Sequence, residues 1–317
     1  MDYQVSPSPA PVPPLAKSAA VVATTLIWGS TFLAISMGND TVPPAWAATL
    51  RLAIAAVALF AILALRRQPL PRGEAMVSAV LYGFFQFGLN LPLLYWAETQ
   101  VPSGLCAIIF ATLPLNNAVL THLFGLERLT LAKIAGAVLA LAGVAVIFSA
   151  QVTLAVEPRR LFAVLVATWA AGLGSVFLKR GPRQSPIGAN AVGATVGLVV
   201  CAFTSLLLAE SQALPRGGAA WFPILYLAVA ASLGAFVLWA WLLNHSNITR
   251  LSYISVVVPL VALVLGVLVR GERPAPASFL GAVIVLAGVA LGVRVPARLA
   301  KDPTKTPADL APPSVAE

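Results

Sequence analysis

A few polar and aromatic side chains interrupt a sequence that is otherwise strongly apolar. Gln86 and Asn90 are four residues apart and would share one face of a helix. Such groups are costly inside an apolar, lipid-facing segment, so their presence there indicates function. They could hydrogen-bond to, and stack on, a small neutral molecule in a water-filled cavity that carries no fixed charge. The candidates for such contacts are Trp28, Thr31, Gln86, Asn90, Tyr95, Asn116, Asn117, Trp169, Ser175, Trp239 and Tyr253.

Alternatives to a solute-binding role stay open for single residues, and for an isolated Ser or Thr the structural role is favoured. Each candidate alone could instead make an interhelical hydrogen bond or belong to an aromatic belt at the membrane surface. Cys106 and Cys201 fall inside apolar runs, where small core residues are expected rather than a disulfide or a metal site. Ser103 and His245 could be imagined as a nucleophile and base, but no motif fixes their geometry. We therefore predict no metal, no cofactor and no enzyme, and an intramembrane enzyme is a minor alternative.

The elements that carry these side chains are predicted to be membrane-spanning helices. Hydrophobic residues make up 59% of the chain and charged residues 10%, whereas soluble domains are about one quarter charged. A spanning helix needs about 20 mostly apolar residues. The apolar runs predict an all-α polytopic membrane protein with ten helices near 16–36, 45–65, 75–97, 103–124, 131–149, 160–179, 187–208, 221–243, 248–270 and 277–294.

The charges predict how these helices are oriented. With ten helices both termini share one side, and fourteen Lys and Arg residues fall on that side against five on the other. This split favours cytoplasmic termini. The net charge of +9 is then a topology signal, and no nucleic-acid partner is expected. The Pro-rich segments 1–15 and 295–317 are predicted to be disordered tails.

The chain repeats itself at an offset of 145 residues. In this frame Glu127 corresponds to Glu272, and Pro114 corresponds to Pro259. The glycines repeat as well, with Gly136 and Gly143 matching Gly281 and Gly288. Two repeats are predicted, 16–150 and 158–294, with five helices each. Because five is odd, the second copy enters the membrane from the opposite side, and such inverted repeats are a recurring design of secondary transporters.

The repeated text also resembles a known family. "WGSTFLAISM" at 28–37, Arg51 early in the second helix, "AETQVPSGLCAIIFATLPL" at 97–115 and the two "GAV…LAGVA" segments resemble the EamA domain of the drug/metabolite transporter superfamily. The resemblance implies ten helices in two inverted halves in the inner (cytoplasmic) membrane. It also implies export of amino acids or other small metabolites. The second copy has no counterpart of Arg51, which leaves its contribution to a site open.

Several residues have predicted roles outside the cavity. Arg51 and Glu98 approach from the same membrane side, and we predict that they form a structural pair at an outer gate; the alternative is that Arg51 meets a substrate carboxylate. The matched residues Pro114 and Pro259 are hinge candidates. The four repeated glycines are predicted to support close helix packing.

The driving force is left open by the sequence. No carboxylate lies in the middle of a predicted helix, and Glu98, His122 and His245 lie only at helix ends. We predict export of small neutral metabolites, such as amino acids, by alternating access at a midplane cavity between the repeats. A proton-coupled efflux protein for drugs or toxic compounds is the alternative. The partners expected are the lipid bilayer and a small-molecule substrate, and the oligomeric state does not follow from the sequence.

Overall fold

The computed structural model describes residues 13–148, 157–270 and 276–294, and all regular secondary structure in these residues is helical. Helices α1 to α5 are Pro14–Asn39, Pro44–Leu65, Glu74–Ala97, Ser103–Leu123 and Leu131–Phe148. Helices α6 to α8 are Pro158–Arg180, Pro186–Leu207 and Gly218–His245. Helix α9 consists of Ile248–Ser252 and Ile254–Arg270, and α10 is Pro276–Arg294.

Seven of these helices, α1 to α4 and α6 to α8, are long and apolar enough to cross a membrane. The other three helices, α5, α9 and α10, have shorter apolar segments: Leu131–Val146, Ile248–Val261 and Val283–Gly292. The helix ends lie within three residues of the predicted ones. Helices α1, α2, α6 and α7 begin with proline, which fits the first turn of a helix without losing a hydrogen bond. Residues 1–12 and 295–317 of the predicted tails lie outside the described residues, and so does Glu272. The end of the predicted N-terminal tail is helical, because α1 begins at Pro14.

The packing of the helices has approximate two-fold symmetry. Exchanging α1–α5 with α6–α10 maps the α1–α9 contact onto α6–α4, α3–α6 onto α8–α1, and α3–α7 onto α8–α2, and all six contacts are present. The pairs α2–α7, α4–α9 and α5–α10 map onto themselves and are also present. The sequence repeat is therefore also a repeat in three dimensions.

Two equivalent helices share an unusual local geometry. A π-helical stretch occupies Phe84–Leu89 in α3, and another occupies Leu227–Ala235 in α8. Both helices also begin after a glycine with positive φ, Gly73 at 55° and Gly217 at 84°, a conformation that favours glycine. π-Helical turns inside α-helices are often found at functional sites.

Helices α5 and α10 form a close seam. A Cβ atom added at Gly136 would lie 2.6 Å from the backbone nitrogen of Gly292, and one added at Gly143 would lie 2.6 Å from that of Val285. Gly281 and Gly288 contribute backbone atoms to the same seam. Small residues let two helix backbones approach closely, so the four repeated glycines lie where packing requires them.

Carboxylates fasten helix ends at both ends of the bundle. At one end Glu127 accepts hydrogen bonds from the Thr249 backbone N–H (3.2 Å) and from Lys133 Nζ (2.8 Å). At the other end Glu210 accepts hydrogen bonds from the backbone N–H groups of Ala45 (3.1 Å) and Trp46 (2.9 Å). Both carboxylates satisfy backbone donors at the first turn of a helix, where a negative charge is favourable.

Candidate functional site

A cavity of about 90 Å³ lies between the two repeats. Its wall combines residues from α1 to α4 with residues from α6, α8 and α9, so neither repeat forms it alone. The lining residues are Trp28, Thr31, Phe32, Ile35, Arg51, Gln86, Asn90, Leu91, Leu94, Phe110, Leu113, Asn117, Ala171, Ser175, Phe236, Trp239, Ser252, Ser255 and Val258. Seven of the eleven candidate contact residues are among them.

Aromatic rings form much of the apolar surface of this cavity. The ring of Trp28 lies 5.1 Å from that of Trp239 and 5.5 Å from that of Phe236, centroid to centroid. Phe32 and Phe110 form a T-shaped pair at 5.5 Å. These separations are typical of favourable aromatic pairs. Trp28 and Phe32 come from α1, and Phe236 and Trp239 come from α8, so both repeats contribute to the apolar wall.

Arg51 brings a fixed positive charge to the cavity. Its side chain is 2% exposed, Nε donates to Ser232 Oγ (2.9 Å) and Nη1 donates to Tyr95 Oη (3.3 Å). Within the described part of the chain it forms no ion pair, so the predicted Arg51–Glu98 pair is wrong. The predicted absence of a fixed charge from the cavity is also wrong. The physical reason is that Tyr95, one turn before Glu98, reaches the guanidinium first.

Two amide side chains present unused acceptors. Asn90 is 3% exposed and Asn117 is 1% exposed, and both line the cavity. The Oδ1 atoms of both residues are buried and accept no hydrogen bond from the described residues. Buried polar atoms normally have partners, so two such oxygens on residues that line one cavity require an explanation.

Hydroxyl groups complete the polar lining. Ser175 Oγ accepts a hydrogen bond from Trp239 Nε1 at 3.2 Å, which fixes the indole ring. Ser252 and Ser255, polar residues on either side of the break in α9, also line the cavity.

Four predicted contact residues lie outside the cavity lining. Tyr95 accepts a hydrogen bond from Arg51, and Trp169 is half-buried against the main core. Asn116 Nδ2 donates to Thr112 Oγ1 at 3.4 Å within its own helix. Tyr253 donates to the Lys133 carbonyl at 3.1 Å and packs near the α5–α10 seam. The break between the two parts of α9, at Tyr253 itself, accounts for this different direction.

The hinge candidates lie next to cavity residues. Pro114 lies in the first turn of Leu113–Leu123, after an interruption of α4, and Pro259 lies inside α9. The residues four positions earlier, Phe110 and Ser255, both line the cavity. Proline leaves the carbonyl four residues before it without its usual partner and favours a bend. Movement at these positions remains a prediction.

Glu98 is a buried carboxyl next to the cavity. It directly follows the last residue of α3 and is 5% exposed, and neither carboxyl oxygen has a hydrogen-bond partner among the described residues. Burial raises the pKa of Glu98 well above its usual range. Leu94, one turn earlier, lines the cavity, so Glu98 lies about 6 Å further along the helix axis.

A two-fold bundle of apolar helices around a cavity shared by both halves defines a multi-pass membrane transporter built from a repeated unit. The sequence profile described as the EamA-like transporter family matches this chain twice, over residues 17–149 and 159–294. The chain therefore belongs to the EamA-like transporter family, and the resemblance seen in the sequence is confirmed.

Individual relatives cover almost the whole chain. It is 28% identical over 274 residues to "Uncharacterized transporter YoaV" of Bacillus subtilis, which covers 85% of this chain and 94% of that protein. It is 31% identical over 282 residues to a "Probable terminal-alkyne amino-acid exporter" of Streptantibioticus cattleyicolor, covering 86% and 91%. A solved crystal structure with 21% identity matches with a TM-score of 0.69 over 87% of this chain and 96% of the other, which shows the fold.

Proposed function

We propose that this protein is a secondary transporter that exports small neutral metabolites, amino acids in particular, across the inner (cytoplasmic) membrane. The observation that carries the proposal is the small, amphipathic cavity between the two repeats, with aromatic rings, amides, hydroxyls and one arginine. The name of the 31% identical relative, a probable amino-acid exporter, supports the same substrate class. The proposal includes no catalytic step.

The symmetry of the packing supports alternating access. We take residues 16–150 and 158–294 as two inverted five-helix repeats, with ten spans and both termini in the cytoplasm. In such an arrangement the inward-facing contacts of one repeat are the outward-facing contacts of the other. The cavity then opens alternately to each side, and the helices bend at Pro114 and Pro259.

The volume of the cavity favours small solutes. The cavity measures about 90 Å³. Pockets for drug-sized ligands occupy roughly 300–1,000 Å³. A drug-sized molecule would require a large expansion of this cavity, whereas a small amino acid requires a slight one.

One observation favours coupling to protons. Glu98 is the buried carboxyl without a partner among the described residues, and its neutral form is the one that burial stabilises. The titratable and charged groups around this end of α3 include Tyr95 on the same helix, Arg51 on α2, Cys106 on α4, Arg160 with its partner Glu157, and Cys201 on α7 with Glu210 near it. Opening of this end would hydrate Glu98 and let it release a proton, so protonation accompanies closure.

Flux into and out of proteoliposomes tests the proposal. Purified protein is reconstituted, and exchange of radiolabelled glycine, alanine, valine, leucine and a drug-sized organic cation is measured with and without a pH gradient. We expect saturable flux of small amino acids, lost in Trp239→Ala and retained in Trp221→Ala, which does not line the cavity. Flux of the large cation alone would contradict the proposed substrate class, and flux independent of the pH gradient would contradict proton coupling.

A further inference from the structure

We propose that the cavity binds a zwitterion at two fixed points: Arg51 holds the carboxylate, and the side-chain oxygens of Asn90 and Asn117 hold the ammonium group. This inference rests on the proposed function and narrows its substrate class to α-amino acids with small apolar side chains. Each charged end of the solute is assigned to protein groups that lack a partner: the carboxylate to Arg51, which has no ion-pair partner among the described residues, and the ammonium to the two asparagine oxygens, which have no donor there.

The first point is the unbalanced charge of Arg51. A buried cation is costly unless an anion compensates it, and no carboxylate of the described residues lies within ion-pair distance. The hydrogen bonds to Ser232 and Tyr95 use Nε and Nη1, and they fix the plane of the guanidinium. Nη2 has no partner among the described residues. A planar fork with free donors matches the geometry of a carboxylate.

The second point is the pair of amide oxygens. Asn90 Oδ1 and Asn117 Oδ1 are buried acceptors that no donor of the described residues reaches. An ammonium group has three donors and no acceptor, so it suits a site that offers only oxygens. A neutral amide carries no full charge, so it can remain buried when the cavity is empty, which an aspartate could not do as easily.

The aromatic wall accounts for the rest of the solute. Trp28, Trp239 and Phe236 form a continuous apolar surface that a short aliphatic side chain can cover. No Asp or Glu of the described residues lines the cavity, so the net charge of its wall is positive, and a second positive charge on the solute would be repelled. Basic amino acids and simple amines are therefore expected to bind poorly.

Equilibrium binding in detergent tests the site independently of transport. Binding of L-alanine and L-valine is measured beside analogues that lack one charged end, namely propionate, ethylamine and alaninamide. The variants are Arg51→Gln for the carboxylate end, and Asn90→Leu and Asn117→Leu for the ammonium end. Two matched controls are buried residues outside the cavity lining: Arg160→Gln and Asn116→Leu.

The expected results differ for the two ends. The wild-type protein should bind alanine about tenfold or more tightly than alaninamide, and Arg51→Gln should abolish this preference. Asn90→Leu and Asn117→Leu should abolish the preference for alanine over propionate, while both controls retain both preferences. If Arg51→Gln lowers thermal stability but leaves the preference intact, Arg51 is structural and the proposal is overturned. Transport of another solute without binding of either amino acid would also overturn it, while the proposed transporter function would stand.

Discussion

In the first repeat α3 brings Gln86 and Asn90 to the cavity, whereas 145 residues later the corresponding positions of α8 are Ala231 and Ala235. The backbone is similar at both places, since the π-helical stretches of the two helices overlap in this frame. The amide groups of the cavity therefore come from one repeat. The second repeat contributes aromatic rings and hydroxyl groups, including Trp239 and Ser175.

Helices α2 and α7 show the same contrast. Counted from the proline that begins each helix, Arg51 in α2 corresponds to Gly193 in α7. A Cβ atom at Gly83 of α3 would lie 2.5 Å from the Cα of Gly193, so this position in α7 is used for close packing. In α2 the equivalent position is Arg51, whose guanidinium donates a hydrogen bond to Ser232 of α8. Symmetric packing and asymmetric chemistry can thus occupy equivalent positions, and the asymmetry is what can give a solute one fixed orientation.

The largest expected effect comes from removing the charge of Arg51, whose equivalent position in the second repeat is Gly193. We expect Arg51→Ala to lower transport of carboxylate-bearing solutes about a hundredfold, because a charge-assisted hydrogen bond contributes about 1.5–3 kcal/mol. Initial rates of amino-acid flux in proteoliposomes measure this. Gly193→Ala should lower stability by crowding α3 without changing solute preference. If the two substitutions change transport equally, the contrast between α2 and α7 does not concern the substrate.

The seam should respond symmetrically to matched substitutions. Gly143→Leu and Gly288→Leu each place a side chain against the backbone of the opposite helix. Overpacking typically costs about 1–3 kcal/mol, and we expect the two variants to lower the melting temperature in detergent by similar amounts. Gly218→Ala is the control, since a Cβ there meets no atom of the described residues within 4 Å. Loss of stability in one variant alone would mean that the two-fold symmetry does not extend to the seam.

Glu98 should make stability depend on pH. Its folded-state pKa is raised, so between the unfolded and folded pKa values the folded protein binds more protons than the unfolded chain. Stability should therefore be highest at low pH and fall as pH rises through the folded-state pKa. Melting temperatures measured from about pH 5 to about pH 9 should fall less steeply in Glu98→Gln than in wild type. The exposed Glu74→Gln is the control, and parallel curves for wild type and Glu98→Gln would contradict a buried neutral carboxyl.

The smallest effect is expected at a hydroxyl of the second repeat. Ser175→Ala removes the acceptor of the Trp239 indole N–H, and a neutral hydrogen bond contributes about 0.5–1.5 kcal/mol. We expect a few-fold rise in the Michaelis constant for flux, with the solute preference unchanged. Thr168→Ala, a buried hydroxyl of the same helix that donates to its own backbone, is the control. A complete loss of transport in Ser175→Ala would place essential polar chemistry in the second repeat as well.

Helices and the repeat could be read from the sequence, because about 20 apolar residues in a row and a fixed offset are local signals. The glycine seam followed from the same offset. The partner of Arg51 could not be predicted from the sequence. Glu98 and Tyr95 lie at similar depths in the membrane, and the rotation of α3 about its axis determines which of them reaches Arg51. Tyr253 was misplaced for a related reason: the interruption of α9 turns its side chain toward Lys133, and no residue type in the segment indicates that turn.

The most direct measurement is an experimental structure of the protein with a bound small amino acid such as L-alanine. We predict that its carboxylate lies within about 2.7–3.2 Å of the Arg51 guanidinium nitrogens, and its ammonium within the same distance of Asn90 Oδ1 and Asn117 Oδ1. Both charged ends would then rest on the first repeat, with the side chain against Trp28 and Trp239. An amino acid bound with its carboxylate away from Arg51, or outside this cavity, would contradict the assignment of the charged ends to the first repeat.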